Sequence, residues 1–344
     1  MAKRIILIVI FSTLALSSYP QTGGDDVYEF LNLTYSGLVS SAGGSNVSLT
    51  GRNINLSWFN PSLLDRSMDH SLALNYVNYF AGINYGMAMY SHSLPSDANI
   101  AGGIVYLNYG SFTGADESGN ITGSFSASEY AFSFIYSREL DSAFAVGVNI
   151  KPVVSHLEKY TSLGFAFDLG VSWHNRSNLL SAGLVIRNIG YQITRYAGEP
   201  RRNPPFEIEA GASARLAHAP LGFSLTLRHL EKFDLTYTYD ETTAGGEIRK
   251  EPAEFFENLA RHVILSAELI PYKSFYLSAG YNYQRRSELS TGAGAGGAGL
   301  SWGFGINTSV IDIEFGRASY HLAGSSNNIS LIVRPSLLYK KMAR

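Results

Sequence analysis

The sequence of 344 residues contains no cysteine. Disulfide bonds, thiolate metal sites and cysteine-linked lipid anchors are therefore excluded. Charge is also scarce, since Asp, Glu, Lys and Arg together make up 16% of the chain and the formal net charge is -2. Proteins that bind nucleic acid present a concentrated basic surface, which this composition does not supply. We expect no nucleic-acid partner.

Long hydrophobic runs are absent beyond the first residues. Lys3 and Arg4 precede an apolar stretch, residues 5–11, which continues with interruptions to Leu16. A helix that crosses a bilayer needs about 20 apolar residues, so this stretch is too short to span a membrane. The order of basic, apolar and small residues is typical of a secretory signal peptide. We predict a signal peptide at residues 1–18 and export of the remaining chain.

The chain is instead rich in Tyr, Phe and Gly, a composition that suits a large β protein with many turns. In the segment SFYLSAGYNY, Phe275, Leu277, Ala279, Tyr281 and Tyr283 alternate with mainly small or polar residues. Successive side chains of a strand point to opposite faces, so this segment has one apolar face. Fourteen segments carry this pattern, and they start near His70, Ile83, Asn99, Ser124, Ser142, Thr161, Leu179, Pro205, Leu221, His262, Ser274, Ala298, Ile311 and Asn327, the second and the seventh being less regular than the others.

The faces opposite these apolar ones carry charges that the packed core of a soluble sandwich would not accept. Many apolar faces end in Tyr, Trp or Phe, as lipid-facing bands with aromatic girdles do. Because backbone groups in lipid must all be paired, such a sheet has to close on itself. We predict an all-β fold, a transmembrane antiparallel β-barrel of about fourteen strands at residues 70–339, with a wet interior. The charges assigned to that interior are Lys151, Asp168, Glu207, Glu209, Arg215, Arg228, Glu268, Asp312 and Glu314.

The predicted connections sort by length along the chain. Those after strands four, six, eight and ten are short, and those after strands three, seven, nine and eleven are long, at residues 110–123, 191–204, 231–261 and 287–297. Outer-membrane barrels have short periplasmic turns and longer external loops. We predict this sidedness for an integral barrel in the outer membrane of a Gram-negative bacterium, in contact with its lipid. Both ends of an even-stranded barrel then face the periplasm, so a periplasmic N-terminus is expected, and residues 340–344 form a basic overhang.

Residues 22–69 precede the first predicted strand and are too long for a simple linker. We predict that they start at the periplasmic mouth and either fold up into the lumen as a plug or hatch, or stay below it as a small cap. Trp58 and Phe59 should be buried, because large apolar side chains gain free energy on leaving water. Together with Asn60 and Pro61 they form the predicted plug site.

Candidate partner-binding residues lie in the long loops. Pro252 can open a short helix within EPAEFFENLAR, on which Phe255, Phe256 and Leu259 share a face. Such a helix is either a lid packed on the barrel rim or a docking site for a protein partner. Charged residues of the long loops complete the predicted surface, namely Arg201, Arg202, Asp240 and Glu241.

No motif of catalysis or cofactor binding stands in the structural context that it requires. The sequence has no S-x-x-K step, and its G-x-S-x-G match at residues 299–303 lies within a strand pattern, whereas a nucleophile elbow turns from a strand into a helix. One G-x-G-x-x-G at residues 292–297 is followed by a strand pattern, whereas a dinucleotide site requires a helix there. The histidines show no HxxxH or comparable spacing for a metal. We predict a protein that is not an enzyme and has no catalytic, cofactor or metal site.

Longer strings carry a family resemblance. They include LNYGSFTGADESGNITGSFSASEYAF at residues 107–132, RNIGYQI at 187–193, PPFEIEAG at 204–211 and YNYQRRSEL at 281–289. These strings resemble the PorQ family, the outer-membrane barrel component of the type IX secretion system, over nearly all of the chain after the signal peptide. The resemblance implies a non-enzymatic role in a cell-surface attachment complex with the sortase PorU, the barrel PorV and the surface protein PorZ. That complex processes secreted cargo and joins it to lipopolysaccharide.

The step FNPSLL at residues 59–64 carries a second, more distant likeness. It is similar to the Asn-Pro-Ala step of FadL-like fatty-acid transporter barrels, with Ser62 in place of the alanine. Those barrels contain an N-terminal hatch, so the likeness implies the same architecture. It also leaves open a second function, a channel for hydrophobic small molecules.

Overall fold

The computed structural model describes residues 26–116, 118–235, 255–289, 296–321 and 324–337. In these residues, fourteen antiparallel strands form one closed barrel, in which each strand pairs with its chain neighbours and β1 pairs with β14. The predicted all-β barrel is therefore confirmed. Over the same ranges, the structure contains no helix that is long and apolar enough to cross a membrane.

The strands start close to the positions predicted from the sequence. They are β1 (Leu72–Asn78), β2 (Asn84–Ser93), β3 (Ala98–Ala115), β4 (Ile121–Glu139), β5 (Phe144–Leu157), β6 (Tyr160–His174), β7 (Leu180–Thr194), β8 (Glu207–Arg215), β9 (Leu221–Leu227), β10 (Val263–Tyr272), β11 (Phe275–Asn282), β12 (Leu300–Asn307), β13 (Ile311–His321) and β14 (Gly324–Val333). Short α-helices lie outside the sheet: α1 (Gly37–Ser41), α2 (Leu56–Phe59), α3 (Phe255–Arg261) and α4 (Tyr283–Glu288).

Two strand ends differ from the prediction. Tyr283 does not extend the outer face of β11, because Asn282 ends that strand and caps α4 by accepting a hydrogen bond from the Arg285 backbone N–H at 3.1 Å. β14 ends at Val333. A turn follows, in which the Leu337 N–H donates to the carbonyl of Arg334 at 3.1 Å. The predicted end of the barrel at residue 339 and the basic overhang at residues 340–344 lie outside the described residues.

Side chains alternate between the outer surface and the lumen as predicted. Because each strand presents one face to each side, large apolar residues are exposed on the outside while polar residues are buried inside. On β11 the outward side chains are Phe275, Leu277, Ala279 and Tyr281.

The interior is packed, which corrects the prediction of a wet lumen. All the charged residues that we assigned to the interior lie on the lumenal face, and all of them except Arg215 are buried. The reason is that residues 26–69, which we call the plug, fill the lumen. The interior charges therefore pair with each other and with the plug.

The two mouths of the barrel differ in their connections. One mouth, the short-turn mouth, carries residues 94–97, 140–143, 175–179, 216–220, 273–274 and 308–310. The other, the long-loop mouth, carries the longer connections between β7 and β8, β9 and β10, and β11 and β12, together with short connections at residues 79–83, 116–120 and 158–159. The predicted long loop at residues 110–123 is wrong in its length, because β3 and β4 continue as a paired hairpin beyond Asn108. Phe112 stacks on its cross-strand partner Phe125 at 5.3 Å between ring centroids, which stabilises this extension.

The irregular pattern of the seventh segment has a structural cause. β7 contains a bulge at Arg187 and Asn188, where two residues stand opposite Asp168 of β6. Asn188 adopts a positive φ of 56°, and both bulge residues are buried in the lumen. Odd-numbered side chains of β7 therefore face the lumen before the bulge, and even-numbered ones face it afterwards. This change explains why the alternation in the sequence is irregular.

The plug begins at the mouth opposite to the one we predicted. The Val27 backbone N–H donates to the carbonyl of Asn203 in the connection between β7 and β8, at 2.9 Å, so the first described residues lie at the long-loop mouth. The later plug residue Arg52 reaches the short-turn mouth, where its side chain donates to the carbonyl of Thr308 at 3.3 Å. The plug therefore extends from one mouth to the other before it enters β1.

Candidate functional site

The plug has an apolar core of its own, built around α2. Trp58 and Phe59 are fully buried, as the sequence predicted. The Trp58 ring meets Tyr35 edge-on at 5.6 Å, and Tyr35 meets Tyr85 of β2 at 5.3 Å. β2 also turns Met87 and its neighbour Met89 into the lumen. This inward apolar face explains why the second segment looked irregular, since on β2 the large apolar side chains face the plug.

The predicted plug residues Asn60 and Pro61 lock the plug to the barrel wall. The Asn60 side-chain amide donates to the carbonyl of Val171 of β6 at 3.4 Å and, within the plug, to that of Val47 at 2.9 Å. Its oxygen accepts the Ser62 backbone N–H at 3.1 Å, which holds the turn of the plug in shape. The wall facing this turn is made of glycines, one on each of three neighbouring strands: Gly147, Gly170 and Gly183. A Cβ at any of these positions would overlap plug atoms, so the absence of side chains permits the contact.

Buried ion pairs line the lumen between β5 and β9. Lys151 and Asp168 are 2.6 Å apart, and both side chains are fully buried. Arg187 binds Glu209 at 2.7 Å. Arg228, which follows β9, makes a bidentate pair with Glu207, in which both N–O distances are 2.7 Å. All of these residues except Arg187 were predicted to face the lumen, but their pairing was not predicted. Arg187 was missed because it lies at the bulge, where the alternation in the sequence is blurred.

The plug covers these ion pairs with aromatic rings. The Lys151 Nζ lies 5.3 Å from the centroid of the Trp58 ring, and the Arg187 guanidinium lies 5.6 Å from that of Phe59. Arg187 also donates to the carbonyl of Leu31 at 3.3 Å. The charges are therefore held between wall and plug, where they do not line an aqueous path.

On β8 and the strands that follow it, small hydroxyl side chains also hold the plug. Ser48 and Ser213 of β8 lie 2.7 Å apart between their Oγ atoms, and Ser301 of β12 donates to the carbonyl of Ser41 at 2.9 Å. Glu314 of β13 accepts the Asn53 side-chain amide at 2.6 Å. Serine is small enough for the plug backbone to approach and still offers a hydrogen bond, which accounts for its recurrence on the inner faces of β8 to β14.

A cavity of about 390 Å³ opens at the long-loop mouth beside the start of the plug. Its lining includes Glu29, Glu129, Tyr109 and Tyr196. Tyr109 donates a hydrogen bond to Glu129 at 2.6 Å. Desolvation raises the pKa of Glu29 to about 6, and the negative charge of Asp26 adds to this rise. This acidic vestibule suits a cation or a hydrogen-bond donor better than an apolar solute.

The outer surface carries an apolar groove of about 760 Å³ across β7 to β12. Small outward side chains form its floor, and larger ones such as Trp173, Phe223 and Tyr281 border it. The floor residues are Ala182, Ala212, Ala214, Ala267 and Ala279. This apolar hollow thus belongs to the outside of the wall, whereas the cavities at the two mouths have linings that mix polar and apolar groups.

The predicted helix of the longest connection is present as α3, with its apolar residues exposed. Phe255 and Phe256 are 59% and 78% exposed, so in the described residues they do not form the lid that was one of the two interpretations. The side turned inward is Asn258, whose side-chain oxygen accepts the Leu235 N–H at 2.9 Å. We define the rim patch as the exposed apolar residues around this helix: Leu230, Phe233, Phe255, Phe256 and Leu259.

The charged residues of the predicted partner surface have separate positions. Arg202 lines the acidic vestibule, with its guanidinium 3.8 Å from Glu199. Arg201 is exposed and donates to the carbonyl of Ile193 at 3.3 Å. Both belong to the connection between β7 and β8, whereas the rim patch belongs to the connection between β9 and β10. Asp240 and Glu241 lie outside the described residues.

Comparison with known proteins shows the fold. No family model and no curated protein matches the chain. The toluene transporter TodX of Pseudomonas putida is similar in structure, with a TM-score of 0.51 and 12% identity, over 91% of this chain and 98% of that chain. The deltaS2 mutant of the TodX monoaromatic hydrocarbon channel has the same TM-score, 0.51, and 12% identity over 87% of this chain and 97% of that one. A FadL homologue of Pseudomonas aeruginosa has a TM-score of 0.49 and 10% identity, over 87% and 97% of the two chains.

At these identities, the similarity to TodX shows a shared fold, that of an outer-membrane barrel. The architecture predicted from the sequence is thus confirmed by the comparison as well as by the strand topology. The resemblance to the PorQ family stays a prediction.

Proposed function

We propose that this chain is a sealed, non-enzymatic outer-membrane barrel that anchors protein partners at its long-loop mouth. The observation that carries the proposal is the plug, which extends between the two mouths and is hydrogen-bonded to several strands of the wall. A pore for solutes would need a path through the lumen. An anchor needs only a rigid barrel and an accessible rim.

The orientation follows from the connections. Barrels of this class place short turns in the periplasm and long loops outside the cell. The short-turn mouth then faces the periplasm, and the rim patch, the acidic vestibule and Val27 face the exterior. The outward Phe, Tyr and Leu side chains contact the lipid.

We identify the anchored assembly with the attachment complex of the type IX secretion system. The strings in which this sequence resembles the PorQ family are the support for this identification. The rim patch supports it chemically, because several large apolar side chains exposed on one loop offer the kind of surface that a protein partner covers. PorZ and PorU are the expected partners, with PorV as a second membrane component.

The anchoring role can be tested in cells by replacing apolar residues of the rim patch with serine. A strain carrying Phe255→Ser, Phe256→Ser and Leu259→Ser should release PorZ and PorU into the medium, while the barrel still shows the gel-mobility shift of a folded barrel. The control is Ile121→Ser, since Ile121 is 77% exposed at the end of the β3–β4 hairpin, away from α3. Full retention of both partners in the triple variant would contradict the anchoring role.

A channel for hydrophobic small molecules is the second candidate. It is favoured by the fold shared with TodX, described as a toluene transporter, together with the apolar groove on the outer wall. This function predicts that deleting the gene lowers uptake of a monoaromatic hydrocarbon or a fatty acid and releases no surface protein. The anchor predicts the opposite pair of results, so the two measurements in one deletion strain separate the candidates.

A further inference from the structure

Three side chains with metal-binding atoms converge at the short-turn mouth, where the plug ends and β1 begins. The Asp69 carboxylate lies 3.3 Å from the Nδ1 of His92 and 3.7 Å from the Nε2 of His70. One ligand atom from each residue can be chosen so that all lie within 4.8 Å of one another. All three side chains are partly open to solvent, so an ion can reach them.

Strand register brings the two histidines together. Leu72 of β1 pairs with Tyr90 of β2, and continuing this antiparallel register by two residues sets His70 opposite His92. Their ring centroids are 4.8 Å apart. Sequence spacing alone gives no metal motif, which is why we predicted no metal site there.

The separations match those of ligands around a small transition-metal ion. Zinc lies about 2.0–2.1 Å from nitrogen and oxygen ligands in a tetrahedral arrangement, so neighbouring ligand atoms are about 3.4 Å apart. The two separations from the Asp69 carboxylate, 3.3 Å from Oδ1 to His92 and 3.7 Å from Oδ2 to His70, are close to that value, and the three ligand atoms lie within 4.8 Å of one another. Two imidazoles and one carboxylate are also the ligand types that zinc accepts, with a fourth position left for water.

Neighbouring groups hold the ligands in place. The Tyr90 hydroxyl is 2.6 Å from the Nδ1 of His70, so Nδ1 can donate to it and leave the Nε2 lone pair directed at an ion. The Ser93 backbone N–H donates to the Asp69 carboxylate at 2.8 Å. His70 adopts a positive φ of 51°, a conformation that non-glycine residues rarely take and that directs its ring toward His92 and Asp69.

We propose that Asp69, His70 and His92 form a binding site for a divalent transition-metal ion, with Zn²⁺ as the preferred ion. Asp69 is the last residue of the plug, His70 follows it before β1, and His92 belongs to β2, so the ion links the end of the plug to the barrel wall. Because the ion binds the folded chain, it stabilises the junction between plug and barrel. Mg²⁺ prefers six oxygen ligands and should not compete.

The test uses the full chain, purified in detergent without a polyhistidine tag and treated with a chelator. Titration calorimetry with ZnCl₂ should give one bound equivalent, and MgCl₂ should give no heat. Zn²⁺ should also raise the temperature at which the barrel loses its folded gel mobility. Asp69→Asn and His92→Gln should each weaken Zn²⁺ binding by about tenfold or more, because each variant alters one ligand and even the loss of a group that only supports a ligand has an effect of that size.

His218→Gln is the matched control, because His218 is an exposed histidine in another turn at the same mouth. Co²⁺ added to the unmutated chain provides a readout that needs no variant. It should give visible absorption bands of a site with fewer than six ligands, and Zn²⁺ should remove them. Absence of Zn²⁺ binding by the unmutated chain, or equal binding by His92→Gln and His218→Gln, would overturn the proposal.

Discussion

At the scale of single residues, the fit between plug and wall depends on glycines, which have no side chain. Gly183 faces the carbonyl oxygen of Val47, and Gly147 faces the backbone of Pro61. A backbone atom that is itself hydrogen-bonded or packed cannot move aside as a flexible side chain would. Glycine at these positions is therefore a condition for seating the plug.

Gly183→Ala should destabilise the folded protein by about 1–3 kcal/mol, the usual effect of overfilling a packed interior. The matched control is Gly222→Ala, since Gly222 also faces the lumen but its added Cβ would meet the side chain of Arg215 at an ordinary 3.5 Å. Urea unfolding in detergent, followed by tryptophan fluorescence, measures both. Equal loss of stability in the two variants would show that the close approach to Val47 is unimportant.

Lys151 illustrates how the interior charges depend on each other. Lys151→Met should cost about 3–5 kcal/mol of unfolding free energy, because the carboxylate of Asp168 would stay buried without its cation. Adding Asp168→Asn should recover much of that loss, since it removes the unpaired charge. The four proteins of this double-mutant cycle are compared by urea unfolding. A double variant no more stable than Lys151→Met would argue against the ion pair.

At the scale of elements, the start of the plug lines an open cavity at the long-loop mouth. Glu29 lines the acidic vestibule, and its pKa is raised by desolvation to about 6 from an ordinary value of 4.5. The folded chain therefore holds this proton more tightly than the unfolded chain. Stability associated with protonated Glu29 is fully present below pH 4.5 and is lost as the pH rises through about 6.

Glu29→Gln should remove this pH dependence, because the amide stays neutral. The variant is expected to match the unmutated chain at pH 4.5 and to unfold at a higher urea concentration than it at pH 7. The measurement is the urea midpoint of each protein at both pH values. A Glu29→Gln variant that is less stable than the unmutated chain at pH 7 would show that the charged carboxylate is favourable in the vestibule.

At the scale of the whole molecule, barrel and plug have separable roles. The strands satisfy their own backbone hydrogen bonds by closing, so the wall does not require the plug for that purpose. The plug, in turn, occupies the lumen and covers its charged face with aromatic rings and a backbone carbonyl. Closure of the pore therefore depends on the barrel and the plug together.

The intact protein should show no steady conductance in planar lipid bilayers. A version lacking residues 22–60 should insert and admit small hydrophilic ions, because the lumenal carboxylates, amides and cations are then exposed to water. As a control, the shortened protein should still migrate on a gel as a folded barrel. A large steady conductance from the intact protein would contradict both the seal and the anchoring function that relies on it.

The sequence by itself determined the strands, their parity and the general position of the plug residues. Period-two alternation is a local property, because neighbouring side chains of any strand point to opposite faces. Trp58, Phe59, Asn60 and Pro61 could also be chosen from sequence, since buried aromatics and an Asn-Pro turn stand out in a glycine-rich segment.

Only the tertiary structure decided which segments meet. The bulge at Asn188, the inward turn of Tyr85 and Met87, and the start of the plug at the long-loop mouth depend on contacts between distant parts of the chain. The convergence of His70 and His92 depends on the pairing of β1 with β2. Local patterning specifies which face a side chain occupies, but the neighbour it meets there is set by the closing of the barrel around the plug.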